Sequence, residues 1–193
     1  MEFVEFREYV FLTSREVEEE LYEFEWTLGK AQICRWVIDI LEEWAEYASG
    51  MTHKQQDQVL WRIGSNPMFV GWWLEEGSEI ERTDQFSLLD AAKCVTLSIP
   101  KLYGPGQPMD TAYFMWWDLL ISDVSNCEIT DRCLEILGDL SWQPDQRVQC
   151  AALHGLGHLN HPRRPAVVDE YIRRHPETKS EPWVQQCREG TVM

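Results

Sequence analysis

Three histidines in the C-terminal part of the chain have the spacing of metal ligands. His154, His158 and His161 follow one another at intervals of four and three residues, and the first two would share one face of a helix. The residues between them are Gly-Leu-Gly, no glutamate follows the first histidine as in a zincin motif, and no suitably spaced carboxylate follows. We therefore predict no metal ligands here, and keep a metal-dependent enzyme at these three histidines as a third hypothesis.

Other chemical motifs are missing from the sequence. No Gly-x-Ser-x-Gly element, phosphate-binding loop or dinucleotide fingerprint occurs. Cys150 and His154 could meet on one helical turn, but a thiol buried in a helix would be inert. None of the six cysteines forms a C-x-x-C pair, so we expect reduced, mostly buried thiols. These observations predict no catalytic residues and no cofactor, and the protein is not expected to be an enzyme.

Carboxylates gather on predicted helix faces in the first 50 residues, which hold 13 acids and 4 bases. Four share one face of a predicted helix over 31–48: Asp39, Glu42, Glu43 and Glu46. The preceding predicted helix repeats the pattern with Glu16, Glu19, Glu20 and Glu23. Like charges at this spacing repel by a few tenths of a kcal/mol per pair, and the bases nearby are Arg15, Lys30 and Arg35. Such faces are either solvated surfaces that aid solubility or docking surfaces for a basic partner.

Ten tryptophans offer a second set of candidate contacts. Most are expected to fill the core of a helical protein. In the adjacent pairs 72–73 and 116–117, neighbouring side chains point about 100° apart on a helix. We therefore expect one member of each pair to lie at a rim. Trp26 and Trp36 lie beside the acidic faces and are our candidates for interface anchors, because tryptophan is enriched among binding hot spots.

Composition and charge limit the classes of function. The 17 basic and 33 acidic residues give a net charge of −16 and a sequence pI of about 4.6, which argue against binding to nucleic acid or anionic lipid and allow a basic partner. The 44% hydrophobic content supports a sizeable core. No apolar run approaches the ~18 residues of a membrane span. The acidic start of the chain does not read as a secretion signal, so we expect a cytoplasmic protein.

Helical periodicity dominates the chain, which we predict to be one all-α domain over residues 1–193. The pattern predicts helices over 13–28, 31–48, 52–64, 66–74, 83–99, 110–121, 127–138, 144–160 and 164–175, and a short last one from Pro182. Thr52 and Gln55 are spaced for a capping box. The single strand-like stretch, 3–6, has nothing evident to pair with. The Gly/Pro-rich segment 101–109 is predicted to be a loop, and it is the best candidate for a boundary between two parts of the domain.

A weak internal repeat links the C-terminal helices. Residues 111–122 align with 148–159 at an offset of 37, and 129–140 align with 164–175 at a similar offset. The segment CAALHGLGHLNHP at 150–162, followed by AVVDEYI at 166–172, resembles a HEAT-type repeat. The resemblance implies a small-residue helix covered by an amphipathic one, in an α-solenoid-like helical array with HEAT-type pairs over 110–176. HEAT-like folds usually serve as binding surfaces.

The small, acidic, aromatic-rich chain is also similar in general character to bacterial immunity proteins of secreted toxin systems. That similarity implies an inhibitor that binds a basic toxin, foremost a nuclease, and occludes its active site. The residues predicted to bind this partner are Glu19, Glu23, Asp39, Glu42, Glu43 and Glu46, with Trp26 or Trp36 as the anchor. The alternative is a HEAT-type scaffold or adaptor whose 110–176 region binds a peptide or helix of a partner. Neither hypothesis involves nucleic acid or a membrane directly.

Overall fold

Helices make up the fold of the protein, which we describe from a computed structural model. The structure describes residues 2–11, 29–65, 73–121 and 124–192. The helices there are α1 Phe3–Phe11, α2 Lys30–Glu42, α3 Trp44–Ser49, α4 His53–Ser65, α5 Arg82–Leu102, α6 Thr111–Ile121, α7 Cys127–Leu140, α8 Gln146–His158, α9 Arg164–Arg174 and α10 Pro182–Glu189. A 3-10 helix, Pro176–Ser180, precedes α10. No strand occurs in these ranges, so the predicted all-α class is confirmed.

Most predicted helices are found within a few residues of their expected ends. The predicted helix over 13–28 and most of the one over 66–74 lie outside the described residues. The strand-like stretch at the N-terminus is part of α1. Thr52 and Gln55 form the expected capping box, with a Thr52 N–H···Oε1 distance of 2.9 Å and a Gln55 N–H···Oγ1 distance of 3.3 Å.

Two predicted helix bounds are wrong. The expected helix over 31–48 is divided at Glu43, whose φ of −94° and ψ of 13° depart from helical values. The other error is the stop before Pro100, because α5 continues to Leu102. Proline lacks an N–H group to donate, but the next turn still closes through a hydrogen bond of 3.0 Å from the Tyr103 N–H to the Ile99 carbonyl.

Helix α6 packs against α4, α5 and α8. Trp116 and Trp117 on α6 are both fully buried. Their indole N–H groups donate to α5, to the Ala92 carbonyl at 3.1 Å and to the Thr96 hydroxyl at 3.0 Å. The expectation that one of these two tryptophans lies at a rim is therefore wrong, because neighbouring helices cover both faces. Trp73 is buried as well, and Trp72 lies outside the described residues.

The second half of the chain packs around α8, which contacts its sequence neighbours α7 and α9. Alternate helices contact each other directly, α6 on α8 and α8 on α10. Glycines in α8 allow the close approach. A Cβ atom added at Gly155 would lie 2.5 Å from the Trp117 Cβ and 3.0 Å from the Leu137 Cδ2. The small residues that carry the repeat pattern therefore set the distance between neighbouring helices.

The Gly/Pro-rich segment between α5 and α6 is tied to the start of α8. The Arg147 guanidinium donates to the carbonyls of Tyr103 at 3.4 Å, Gly104 at 3.1 Å and Gln107 at 3.0 Å. Asp145 caps α8 and also holds this guanidinium at 2.6 Å. In the ranges that the structure describes, no helix combines the length and apolar character needed to cross a membrane.

We predict that Gly155→Ala lowers the free energy of unfolding by about 1–3 kcal/mol, because the added methyl group overpacks the α6–α8 contact. The matched control is Gly138→Ala on α7, where the new Cβ would lie 3.7 Å from Val167, at ordinary contact distance. Alanine favours helix over glycine by up to about 1 kcal/mol, so this control should be neutral or stabilising. Urea unfolding followed by circular dichroism measures both. Equal effects of the two changes would contradict the tight contact.

Candidate functional site

A group of four exposed carboxylates, here called the acidic surface, lies on α2 and α3: Asp39, Glu42, Glu43 and Glu46. All four side chains face solvent although the helix is divided at Glu43. The opposite sides of α2 and α3 are apolar, with Val37, Leu41 and Trp44 buried. The predicted segregation of acidic and apolar faces is therefore present in the structure.

The acidic surface lacks internal counter-charges. Among the residues that the structure describes, no carboxylate of α1, α2 or α3 forms an ion pair. Arg35, a base that the α2 sequence offers, pairs instead with Asp84 on α5 at 3.2 Å. The carboxylates that do pair with Arg, Lys or His all lie from residue 84 onward: Asp84, Asp90, Asp118, Glu128, Asp131, Glu135, Asp139, Asp145, Asp169, Glu170 and Glu177. Within the described residues, no ion pair therefore offsets the charge of the acidic surface.

Electrostatics within the acidic surface reflect this shortage of counter-charge. Partial desolvation raises the pKa of Asp39, and the nearby Glu43 carboxylate raises it further. Glu43 accepts a hydrogen bond of 2.9 Å from the Tyr47 hydroxyl. The Arg7 guanidinium of α1 lies over the Tyr47 ring, 5.5 Å from its centroid. One base therefore approaches the surface, but it contacts an aromatic ring and forms no ion pair with these carboxylates.

A buried hydrogen-bond network positions α3 and its carboxylates. The Trp44 indole donates to the Tyr113 hydroxyl of α6 at 2.9 Å, and that hydroxyl donates to the Gln56 side chain at 3.1 Å. Gln56 in turn donates to the Ala48 carbonyl at 2.8 Å. Each polar group in this apolar surrounding has a partner, as burial requires. The network fixes α3 against α4 and α6.

Of the two predicted tryptophan anchors, the structure describes only Trp36. Trp36 is partly buried, and its ring packs against Phe3 and Phe6 of α1 with centroid distances of 6.0 and 5.2 Å. Part of the Trp36 ring surface is therefore covered by α1, and only the rest could contact a partner. Three of the predicted partner-binding residues, Glu19, Glu23 and Trp26, lie outside the described residues.

Trp142 is an exposed aromatic residue that the sequence analysis did not single out. It follows α7 and is 55% exposed. Arg174 covers one face of the indole at 3.2 Å from the centroid and donates to the Ser141 carbonyl at 3.4 Å. This stacking holds the ring in one orientation. The sequence signal that could have marked it is its place in Ser-Trp-Gln-Pro, just beyond the end of a helix.

The structure brings together two of the three candidate histidines. The rings of His154 and His158 lie 4.7 Å apart between centroids. His161 has other partners, because its Nε2 contacts Asp131 at 2.9 Å and its Nδ1 accepts from the Arg163 N–H at 3.0 Å. Among the described residues, no group of three or more His, Cys, Asp or Glu side chains is placed to hold a metal. The three-histidine site of the third hypothesis is therefore not assembled.

The two-histidine cluster, defined as His154 and His158, is buried beside aromatic rings. His154 is 1% exposed, and the Phe114 ring lies 4.2 Å from it. The His154 Nδ1 and the His158 Nε2 are buried and have no hydrogen-bond partner. Desolvation, with a smaller contribution from His158, lowers the pKa of His154 to about 4. The His154 ring is therefore neutral at physiological pH, with a lone pair available on one nitrogen.

The cysteines offer no reactive thiol among the buried positions. All six are free, and Cys34, Cys133 and Cys187 are fully buried. Burial raises the pKa of each of these three thiols to about 12. They stay protonated at neutral pH and are poor nucleophiles.

Comparison with known proteins supplies no relative from which a function could be carried over. No protein-family model, curated protein or solved structure matches the chain. The function is therefore inferred from the acidic surface, the exposed tryptophan and the histidine cluster themselves.

We predict that burial of neutral His154 makes the fold acid-sensitive. The folded-state pKa of His154 is about 4 against an ordinary 6.5, so its contribution is intact above pH 6.5 and is lost as the pH falls from 6.5 towards 4. The loss amounts to about 3 kcal/mol at pH 4. In His154→Leu, the fall in unfolding free energy between pH 7 and pH 4 should be smaller by that amount. Urea unfolding in buffer containing a chelator measures it, and parallel pH profiles of the two proteins would contradict the assignment.

Proposed function

We propose that this protein is a non-enzymatic binding protein that neutralises a basic toxin, of the nuclease class, by occluding its active site in the cytoplasm. The observation that carries the proposal is that no carboxylate of the acidic surface forms an ion pair with any residue that the structure describes. Later in the chain, exposed carboxylates do find bases, as Asp169 does with Arg188 at 2.6 Å. A surface that keeps its carboxylates unpaired is available to a partner that brings positive charge.

Electrostatic complementarity explains how such a surface would inhibit a nuclease. A nuclease active site has a positive field that attracts phosphates. Exposed carboxylates on a helix compete for that field and accelerate encounter, with association rates up to about 10⁸–10⁹ M⁻¹s⁻¹ at low salt. The buried Trp44–Tyr113–Gln56 network holds α3 in place, which reduces the entropy lost when the carboxylates engage a partner.

Charge reversal tests this surface. We expect the triple variant Glu42→Lys, Glu43→Lys, Glu46→Lys to weaken binding to the basic partner at least about 100-fold, because three attractive contacts become repulsive. The matched control reverses three other exposed carboxylates, Glu177, Glu181 and Glu189, with the same change in net charge. This control should bind like the wild type. Surface plasmon resonance at low and high salt measures both.

To identify the partner, lysate of the source organism is passed over immobilised wild-type protein, and the retained protein is identified by mass spectrometry. The retained protein is then assayed for nuclease activity with and without one equivalent of the wild type. Inhibition at that ratio by the wild type and the control, but not by the triple variant, supports the proposal. Equal retention by all three proteins would show that another surface binds. A retained protein that is acidic, or whose activity is unaffected, would overturn the inhibitor function.

A second candidate function is a HEAT-type scaffold that binds a helix or peptide through residues 110–176. The observations that favour it are the direct packing of alternate helices, α6 on α8 and α8 on α10, and the exposed, oriented Trp142. In a scaffold, the partner would contact this part of the array, and the acidic surface would act mainly in solubility.

Trp142→Ala distinguishes the two functions. A tryptophan at the centre of an interface typically contributes about 2 kcal/mol or more, so a scaffold that uses it should lose at least about 30-fold in affinity for the captured partner. An inhibitor that binds through the acidic surface should lose less than about threefold. The variant loses the stacking on Arg174, so its free energy of unfolding should fall by no more than about 1 kcal/mol, and it should stay folded in the assay. Surface plasmon resonance with the captured partner gives the ratio.

A further inference from the structure

The two-histidine cluster contains an unusual feature for a protein core, namely two buried imidazole nitrogens that lack hydrogen-bond partners. These are His154 Nδ1 and His158 Nε2. An unsatisfied buried polar atom is destabilising and calls for an explanation. His161, three residues further on, has partners for both ring nitrogens, which shows that this region can satisfy a histidine fully.

Both histidines present their rings on one side of α8, one helical turn apart. Residues one turn apart on α6 face them: Phe114 lies against His154, and Asp118 contacts the His158 Nδ1 at 3.1 Å. A histidine whose one nitrogen donates to a carboxylate has its other nitrogen fixed as an acceptor, which is the usual arrangement of a metal-bound histidine. The Asp118 carboxylate, 3.1 Å from the His158 Nδ1, favours the tautomer that has its proton on Nδ1 and a free lone pair on Nε2.

The ring separation also matches that of two imidazoles on one ion. With a metal–nitrogen distance of about 2.0–2.1 Å, the metal lies about 3.2 Å from each ring centroid. Two rings that subtend about 90–110° at the ion then have centroids about 4.5–5.2 Å apart. The observed distance between the His154 and His158 centroids is 4.7 Å.

We propose that His154 Nδ1 and His158 Nε2 bind one transition-metal ion of the kind that prefers imidazole, Cu²⁺, Ni²⁺ or Zn²⁺, with Asp118 as the positioning residue for His158. The described residues supply no third ligand of the His, Cys, Asp or Glu type, so water completes the coordination. His158 lies in the last turn of α8, where the helix dipole favours a cation. Its side chain is 20% exposed, so the cluster lies close to the protein surface.

The probes are Cu²⁺, Ni²⁺ and Zn²⁺, each titrated separately into the chelator-stripped full chain by isothermal titration calorimetry. We expect one ion per chain, with Cu²⁺ bound most tightly as for nitrogen ligands in general. Mg²⁺, which prefers oxygen ligands, should give no heat at this site. The electron paramagnetic resonance spectrum of the Cu²⁺ complex should show coupling to two imidazole nitrogens.

Three variants and one control assign the site. His158→Gln and His154→Leu should each weaken Ni²⁺ binding at least about 100-fold, because one of two protein ligands is lost. Asp118→Asn keeps both ligands and should weaken it about 10–100-fold, in line with other carboxylate–histidine–metal sites. His53→Asn is the matched control, because His53 is exposed and stacks on Tyr103 at 4.2 Å. It should bind as the wild type does.

If His158→Gln does not fold, His154→Leu and Asp118→Asn serve as the comparison with the wild-type spectrum. Coupling to two nitrogens at a one-to-one ratio, lost in His158→Gln and kept in His53→Asn, supports the site. No binding of any of the three ions would overturn the proposal. So would a copper spectrum that lacks imidazole nitrogen, or binding that is equal in His158→Gln and the wild type.

Discussion

The packing of α6 between α5 and α8 is the contact on which the rest of the structure depends. Trp116 and Trp117 are fully buried, and both indole N–H groups have acceptors on α5. Gly155 of α8 lies against the Trp117 Cβ with no room for a methyl group. The large side chains of α6 need space on the neighbouring helix, and the absence of a side chain at Gly155 provides it. They bring α8 close to α6, and the two histidines of α8 then face Phe114 and Asp118.

The same central helix connects the core to the acidic surface. Tyr113 of α6 accepts the Trp44 indole N–H, and Trp44 is the first residue of α3. The carboxylates of α2 and α3 therefore stand on a rigid support and not on a loop. Mutual repulsion among these carboxylates costs stability, and the apolar faces beneath them provide compensation through burial. A surface with this balance can keep its charge unpaired in the free protein.

Local rules account for most of what could be predicted. The helices of the C-terminal half were predicted from apolar spacing, and the structure caps two of them with Asn126 and Asp145, whose side chains accept from backbone N–H groups of their own first turns. Such caps depend on neighbours in sequence. The break at Glu43 and the continuation of α5 through Pro100 were not predicted, because contacts with other helices outweigh local preference there. In the candidate site, exposure of the four carboxylates followed from periodicity alone.

The sequence by itself determined the helical class, the segregation of acidic from apolar faces and the net charge, since these depend on composition and on spacings within a few residues. Tertiary structure decided which groups meet. Arg35 pairs with Asp84, 49 residues away, and so leaves the acidic surface without that base. His161 finds Asp131, 30 residues away, and so leaves the other two histidines. Trp142 becomes exposed while both members of the 116–117 pair are buried. Each outcome depends on which helices pack together, and a short-range pattern carries no information about that.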